Sequence, residues 1–312
     1  MTRILVTGAS GLLGLNLAMR AGEHYQVVGQ LHSRPLRAAP FATVQADLCQ
    51  PDSAARLLDE VAPDWVLHCA ALADLDACEQ QPELAAELNT EAARRLAAAA
   101  QQRDMRFLHV STDAVFDGQR GNYSEADEPN PLSVYAETKL DGEYAVMESH
   151  PHAIVARVNF FGWSLSGERS LAEFFFNHLS AGQPVKGLTD RYFSPLWVGH
   201  LAVLLLEMLE KEFKGLYHVS GSESLSKYEF GRRLAQRFGF DETLMQAARA
   251  DELPYVAARA PQLTVDTSKL AKALGRPLPD VEAGLDGLYQ QYQAGYPQQL
   301  RAMQTQPQAA AA

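Results

Sequence analysis

The sequence predicts an α/β chain built on a doubly wound parallel sheet, with a smaller C-terminal unit beside it. Three observations lead there. Short apolar runs alternate with longer helical stretches through the first half of the chain. A glycine turn, "TGASGLLG" at 7–14, joins the first apolar run to the first helix. The second half loses this alternation, so its pieces suit a second, smaller unit leaning on the sheet.

Each element has its own signal. "RILVT" (3–7) reads as a buried strand, followed by the glycine turn and a helix over about 12–21. "YQVVGQL" (25–31) is the second strand and "FATVQADL" (41–48) a weaker third. "SAARLLDEV" (53–61) has helical periodicity, and "DWVLHCA" (64–70) is the fourth strand. Pro82 opens a long alanine-rich helix over 82–102. "MRFLHVST" (105–112) is the fifth strand, and a helix over 135–148 follows Pro129 and Pro131. "HAIVARV" (152–158) is the sixth strand. Beyond it come a helix near 171–181, the loop "GQPVKGLTDRYFSPL" (182–196) and a helix over about 198–212. The strand "GLYHVSG" (215–221), a helix over 226–239 and a final helix around 279–293 complete the set. The expected division is a dinucleotide-binding, Rossmann-type unit of residues 1–160 plus about 196–221, and a substrate-binding unit of 161–195 plus 222–303. The tail at 304–312 is low in complexity and expected to be disordered.

Composition narrows the function classes. A 47% hydrophobic and 21% charged content is ordinary for a water-soluble globular chain. The net charge of −11 argues against nucleic acid or an anionic membrane as a partner, though not against a small anion in a local basic pocket. No apolar run approaches the ~18 residues that span a bilayer, and "MTRILVTG" runs straight into a strand, so a cytoplasmic location is expected. Cys49, Cys69 and Cys78 show no paired framework and read as reduced thiols. The His residues are scattered, with "HPH" (150–152) the one near pair, so no metal site is expected.

The glycine turn supplies the first functional expectation. Gly8, Gly11 and Gly14 sit where the chain turns, where backbone approaches a pyrophosphate and where helix packs on strand. The helix start offers free N–H groups and a positive dipole end. The spacing is GxxGxxG, one residue longer than the GxGxxG fingerprint. At the end of the second strand, "VVGQLHSRPLR" has no acid for a ribose 2′-hydroxyl, but it has Ser33, Arg34 and Arg37 for a 2′-phosphate. NADP(H) is therefore favoured over NAD(H). Asp47 and Leu48 are placed to meet the adenine edge, with Asp47 as a plain turn residue the alternative.

The second expectation is chemical. In a doubly wound sheet the ligand crevice lies beyond the carboxyl ends of the strands, which places Ser111 and Thr112 there. "VYAETK" (134–139) then sets Tyr135 and Lys139 four apart, on one face of the next helix. Reduction of a carbonyl needs a hydride and a proton for the developing alkoxide. A phenol with pKa near 10 becomes a better acid beside an ammonium and a cationic nicotinamide. Thr112 is positioned to hold the carbonyl oxygen. Each residue alone has a bland reading; glycine turn, strand-end threonine and Tyr-x-x-x-Lys together point to a reductase.

With these residues the chain resembles the extended short-chain dehydrogenase/reductase family, and within it the dTDP-4-dehydrorhamnose reductase branch. "TGASGLLG" resembles the family's cofactor loop, which implies contacts from Ser10, Leu12 and Leu13 as well as the glycines. "HCAALADLDACEQQPELAAELNT" resembles the branch's fourth-strand segment; this implies that Ala70 and Ala71 line the cofactor and that Asn89 is a structural or proton-relay residue near Lys139. "STDAVFDGQRGNYSEADEPNPLSVYAETKLDGE" is similar to the catalytic segment, and "GLYHVSG" and "RAPQLTVDTSKL" to later landmarks. The resemblance implies Thr112, Tyr135 and Lys139 as catalytic residues and NAD(P)H-dependent reduction of a 4-keto group on a nucleotide-linked 6-deoxysugar. Departures fall in the substrate half. Arg157-Val158-Asn159-Phe160 stands where the branch has Arg-Thr-Ser-Trp. In "DRYFSPL" (190–196), Arg191, Phe193 and Leu196 replace Gln, Gly and Thr. Ala73 replaces a threonine, and His68, read as a core histidine, replaces an asparagine. Asp113 and Phe160 are expected on the substrate side, with Lys186, Arg191 and Arg259 as positive charge for a diphosphate. A nucleotide-sugar is the expected partner, with a homodimer left open. The same branch resembles the β subunit of methionine adenosyltransferase, so a regulatory NADP-binding subunit is one alternative, and an epimerase or dehydratase of the wider family is another.

Overall fold

The computed structural model describes residues 1–252 and 260–304. In chain order the first half runs β1 (Arg3–Thr7), α1 (Leu12–Ala21), β2 (Gln26–Leu31), β3 (Ala42–Gln45), α2 (Ser53–Val61), β4 (Trp65–His68), α3 (Leu75–Gln80), α4 (Pro82–Ala86), a π-helical turn (Glu87–Glu91), α5 (Ala92–Gln101), β5 (Arg106–Thr112), α6 (Val134–Ser149) and β6 (Ile154–Val158). The second half continues with β7 (Phe160–Phe161), α7 (Leu171–Ser180), β8 (Val185–Leu188), β9 (Tyr192–Phe193), β10 (Leu196–Trp197), α8 (Val198–Glu210), β11 (Gly215–Val219), β12 (Leu225–Ser226), α9 (Lys227–Phe238), β13 (Met245–Ala248), β14 (Gln262–Leu263), α10 (Ser268–Leu274), α11 (Val281–Gln293) and α12 (Tyr296–Ala302).

Seven strands form one parallel sheet in the order β11-β6-β5-β4-β1-β2-β3. This is the doubly wound architecture that the alternating pattern predicts. The chain first builds outward from β1 through β2 to β3, then returns to β4 and builds the other way. The switch point lies between β1 and β4, where Thr7 pairs with His68 in register. A ligand crevice belongs at that seam, beyond the carboxyl ends.

Burial on both faces follows from the strand sequences. On β1, Ile4 and Val6 join an apolar cluster with Leu17 of α1 and Leu201 and Leu205 of α8, while Leu5 joins Leu57, Leu58, Leu96 and Phe107 on the opposite side. A third cluster holds Phe161, Phe175, Phe193, Phe230 and Leu285, from β7, α7, β9, α9 and α11. Trp197 packs against both this cluster and the first, so the second-half pieces lean on the sheet through it.

The long helix expected over 82–102 is present, with one feature that the sequence did not show. The helix does run on from Pro82 to Gln101, but it carries a π-helical turn at Glu87–Glu91 and is preceded by the separate helix α3. The cause is tertiary. Asn89 Oδ1 accepts the Leu72 N–H at 2.8 Å, and Asn89 Nδ2 donates to Leu72 O at 3.1 Å and to Thr138 Oγ1 at 3.0 Å. The Asn89 carbonyl also sits against α6, where a Cβ on Gly142 would lie 2.4 Å from it. The extra residue of the π turn keeps Asn89 in this clamp. The third strand is also shorter than expected, and "DRYFSPL" holds β9 and the start of β10.

Candidate active site

The glycine turn is built for close approach. Gly8 has φ +65°, and a Cβ there would lie 2.8 Å from the Ala70 Cα. A Cβ on Gly14 would lie 2.3 Å from the Gly8 carbonyl oxygen, so only glycine lets α1 start this close to β1. Gly11 is the N-cap of α1, with no side-chain cap, which leaves the first-turn N–H groups around Leu12 and Leu13 for an anion. Gly11 is exposed and Ser10 half-buried on this turn. Gln30, which the sequence did not single out, supports the loop. It is buried, its Oε1 accepts the Gly8 N–H at 3.0 Å and its Nε2 donates to Ala46 O at 2.6 Å. A glutamine inside an apolar strand was the available signal.

Ser33 and Arg34 are exposed in the loop after β2, and Arg37 is exposed beside them. Leu48 is buried. The Asp47 carboxylate holds its own turn, accepting from Cys49 N at 3.0 Å and Gln50 Nε2 at 3.1 Å, and these bonds hold its pKa below the ordinary carboxylate value. These are the contacts of the turn reading, and they leave the carboxylate 38% exposed. Ala70 and Ala71 are half-buried just past β4, across from Gly8.

Thr112 ends β5, and Ser133 caps α6 by accepting the Ala136 N–H at 3.3 Å. This cap starts the helix so that Tyr135 lies in its first turn and Lys139 one turn on, buried. Lys139 Nζ donates to Val110 O at 2.7 Å and lies 3.2 Å from His109 Nε2. The phenol of Tyr135 is near both Thr112 and Asp113. Here one expectation is corrected. Burial pushes the Tyr135 pKa up to about 12, the Asp113 carboxylate adds to the rise, and the Thr112 hydroxyl only partly opposes it. The Lys139 ammonium, turned to the Val110 carbonyl and His109, does not offset that rise in the resting site. Lys139 itself is pushed down to about 8 by burial, with Glu143 and Cys69 opposing. Thr112 Oγ1 also accepts the Ala114 N–H at 3.1 Å, the turn-capping contact that its position at a strand end allows.

Asp113 is buried, and Asn159 Nδ2 donates to its Oδ2 at 2.6 Å. Burial raises its pKa to about 6, against that bond. Phe160 is half-buried on β7, paired with Leu196 of β10. Lys186 lies 3.9 Å from Glu252, and Arg191 lies 3.3 Å from the Asp190 carboxylate, so each has an acidic neighbour. Arg259 lies outside the described residues. Behind the site, Arg157 and Glu143 form a buried two-point pair (Nε–Oε1 2.9 Å, Nη2–Oε2 2.7 Å), and Ser111 Oγ donates to Glu143 Oε1 at 2.5 Å. His68 is a core residue as expected, with Nδ1 2.8 Å from Thr7 Oγ1. Among the described residues no group of three or more His, Cys, Asp or Glu could hold a metal ion, and no helix is long and apolar enough to cross a membrane.

Known proteins share this frame. A probable low-salt glycan biosynthesis reductase, Agl14 of Haloferax volcanii, is 35% identical over 290 residues, covering 91% of this chain and 96% of that protein. The methionine adenosyltransferase 2 subunit beta of Xenopus laevis is 33% identical over 281 residues, covering 86% of this chain and 82% of that one. A crystal structure of dTDP-4-dehydrorhamnose reductase from Bacillus anthracis, in complex with NADP, superposes with a TM-score of 0.83 at 24% identity, over 93% of this chain and all of that one. The likeness to that structure shows the doubly wound fold. The RmlD substrate binding domain family matches residues 1–294, and the chain belongs to that family.

Proposed function

We propose that the chain is an NADPH-dependent reductase of a keto group on a nucleotide-linked deoxysugar. The observation that carries this reading is the juxtaposition of Thr112, Tyr135 and the buried Lys139 at the carboxyl end of β5, beside an uncapped glycine turn. The reductase names of Agl14 and of the Bacillus anthracis protein support it.

The bound cofactor supplies a hydride to the carbonyl carbon. The chain supplies the rest. The first turn of α1 holds the diphosphate, and exposed Ser33 and Arg34 meet the 2′-phosphate. The Thr112 hydroxyl holds the carbonyl oxygen, and the Tyr135 hydroxyl gives that oxygen its proton. A phenol held near 12 is a poor acid, so proton transfer depends on positive charge at the tyrosinate as it forms. Lys139 provides that charge while it is protonated. Activity therefore falls as pH rises through about 8, where Lys139 loses its proton, and a pH–rate profile flat to well above that value would contradict the role.

The test is NADPH oxidation on addition of dTDP-4-keto-6-deoxysugars and their UDP and GDP counterparts. Turnover with none of them sinks the reading. Arg34→Ala is expected to reduce the preference for NADPH over NADH roughly tenfold, about one charge-assisted hydrogen bond, measured as the ratio of binding constants. Gly14→Ala forces α1 away from Gly8 and is expected to weaken NADPH binding roughly tenfold or more, at an overpacking cost of about 1–3 kcal/mol. A second reading, an NADP-binding subunit serving another enzyme, rests on the likeness to the methionine adenosyltransferase subunit. It predicts NADPH binding without any turnover.

A further inference from the structure

A polar thread runs under the crevice from the glycine turn to Lys139, and its hydrogen bonds fix the state of each member. Thr7 Oγ1 accepts N–H bonds from Cys69 at 3.1 Å and Ala70 at 3.2 Å. A hydroxyl has two acceptor sites and one hydrogen. With both sites used, the Thr7 hydrogen goes to His68 Nδ1, 2.8 Å away, which leaves the His68 proton on Nε2. At the other end, Lys139 Nζ has only donors, so His109 Nε2 at 3.2 Å accepts and the His109 proton sits on Nδ1. Both rings are thus neutral, and they stack with centroids 5.4 Å apart at 28°. Burial favours the same state, holding His68 down to about 3 and His109 well below the usual imidazole range. His68 is 1% exposed and His109 fully buried, and neither His68 Nε2 nor His109 Nδ1 has a protein partner.

We infer that His109 is a positioning residue for Lys139: its neutral imidazole, locked in one tautomer, accepts from the buried ammonium and keeps it charged at the crevice. The inference deepens the reductase reading and rests on it for its catalytic meaning. Without an acceptor at this place, Lys139 keeps only the Val110 carbonyl. Glu143 and Cys69 also favour the ammonium, but no side chain besides His109 accepts a hydrogen bond from it among the described residues. Cys69, at the end of β4, is a neutral thiol held up to about 12. His68 has its acceptor nitrogen taken by Thr7. Glu143, on Lys139's own helix, is engaged two-point by Arg157. Tyr135, also on that helix, is a neutral phenol.

The test reads Lys139 directly, without turnover. In protein carrying ¹³Cε-lysine, the Lys139 signal is assigned by its loss in Lys139→Met, and its titration is followed without ligand. His109→Leu should lower the Lys139 midpoint by about one to two pH units, the size of one hydrogen bond to a charged group. His109→Gln, whose Oε1 reaches the place of Nε2, should restore it. If leucine does not fold in this cavity, His109→Met makes the same comparison. In turnover, the alkaline limb of the pH–rate profile should move down by the same amount in the leucine variant and return in the glutamine variant. A folded His109→Leu or His109→Met protein with an unchanged Lys139 midpoint overturns the inference. A shifted midpoint in a chain that reduces no keto-sugar upholds the contact and removes the reductase reading instead.

Discussion

Replacing Tyr135 with phenylalanine lowers kcat by about 100- to 10,000-fold while NADPH still binds. That range is what a positioned general acid contributes, and the loss is confined to the hydroxyl because phenylalanine keeps the ring. The half-buried ring packs in the first turn of α6, so its apolar contacts survive and the fold does not change. The geometry names no substitute acid. Asp113 is nearby and titrates near 6, but its carboxyl is held by Asn159, and at neutral pH it is mostly ionised. Steady-state kinetics with the best nucleotide-sugar, alongside NADPH titration by fluorescence, make the measurement. A variant that turns over at the parent's rate would remove Tyr135 from the reaction and turn attention to Asp113.

The largest effect on stability is expected at the ion pair behind the site. Glu143→Ala leaves the Arg157 guanidinium buried without its counter-charge and should cost about 3–5 kcal/mol. Part of the loss also falls on Ser111, whose hydroxyl donates to the same carboxylate. The double variant Glu143→Leu with Arg157→Met removes both charges and should recover most of that loss, because a well-packed apolar pair of similar volume avoids the desolvation of two ions. Arg157 already lies over the Phe116 ring at 5.0 Å, so a methionine there keeps an aromatic neighbour. Urea denaturation of the single and double variants decides it. A single variant losing under about 1 kcal/mol would show that water reaches the pair.

The sheet was legible in the sequence because β1, β4, β5 and β6 are short, mainly apolar runs, and a strand buried on both faces cannot hide its composition. The glycine turn and the Tyr135–Lys139 spacing were legible because both are local. What the sequence hid is made by residues far apart along the chain. The π turn follows from Asn89 reaching Leu72 and Thr138, so an alanine-rich stretch reads as unbroken helix. The Lys139–His109 contact joins positions thirty apart on different elements. The surroundings of the expected diphosphate charges were hidden for the same reason: Lys186 and Arg191 read as basic in sequence, and the fold sets Glu252 and Asp190 beside them. The raised pKa of the Tyr135 phenol was missed because spacing shows which charges are near it, not how much water the fold takes from it.

The buried Lys139 has a thermodynamic consequence opposite to its chemical one. Its proton leaves the folded chain at about 8, whereas in an unfolded chain a lysine holds its proton to about 10.4. Between those values the unfolded chain binds more protons, so this group makes the fold more stable as pH rises through that window, by roughly 3 kcal/mol in all. Below pH 8 the same amount stands against folding. The chain therefore carries its greatest strain from this residue where the ammonium is present for reaction, and alkaline conditions that silence the site relax the protein around it.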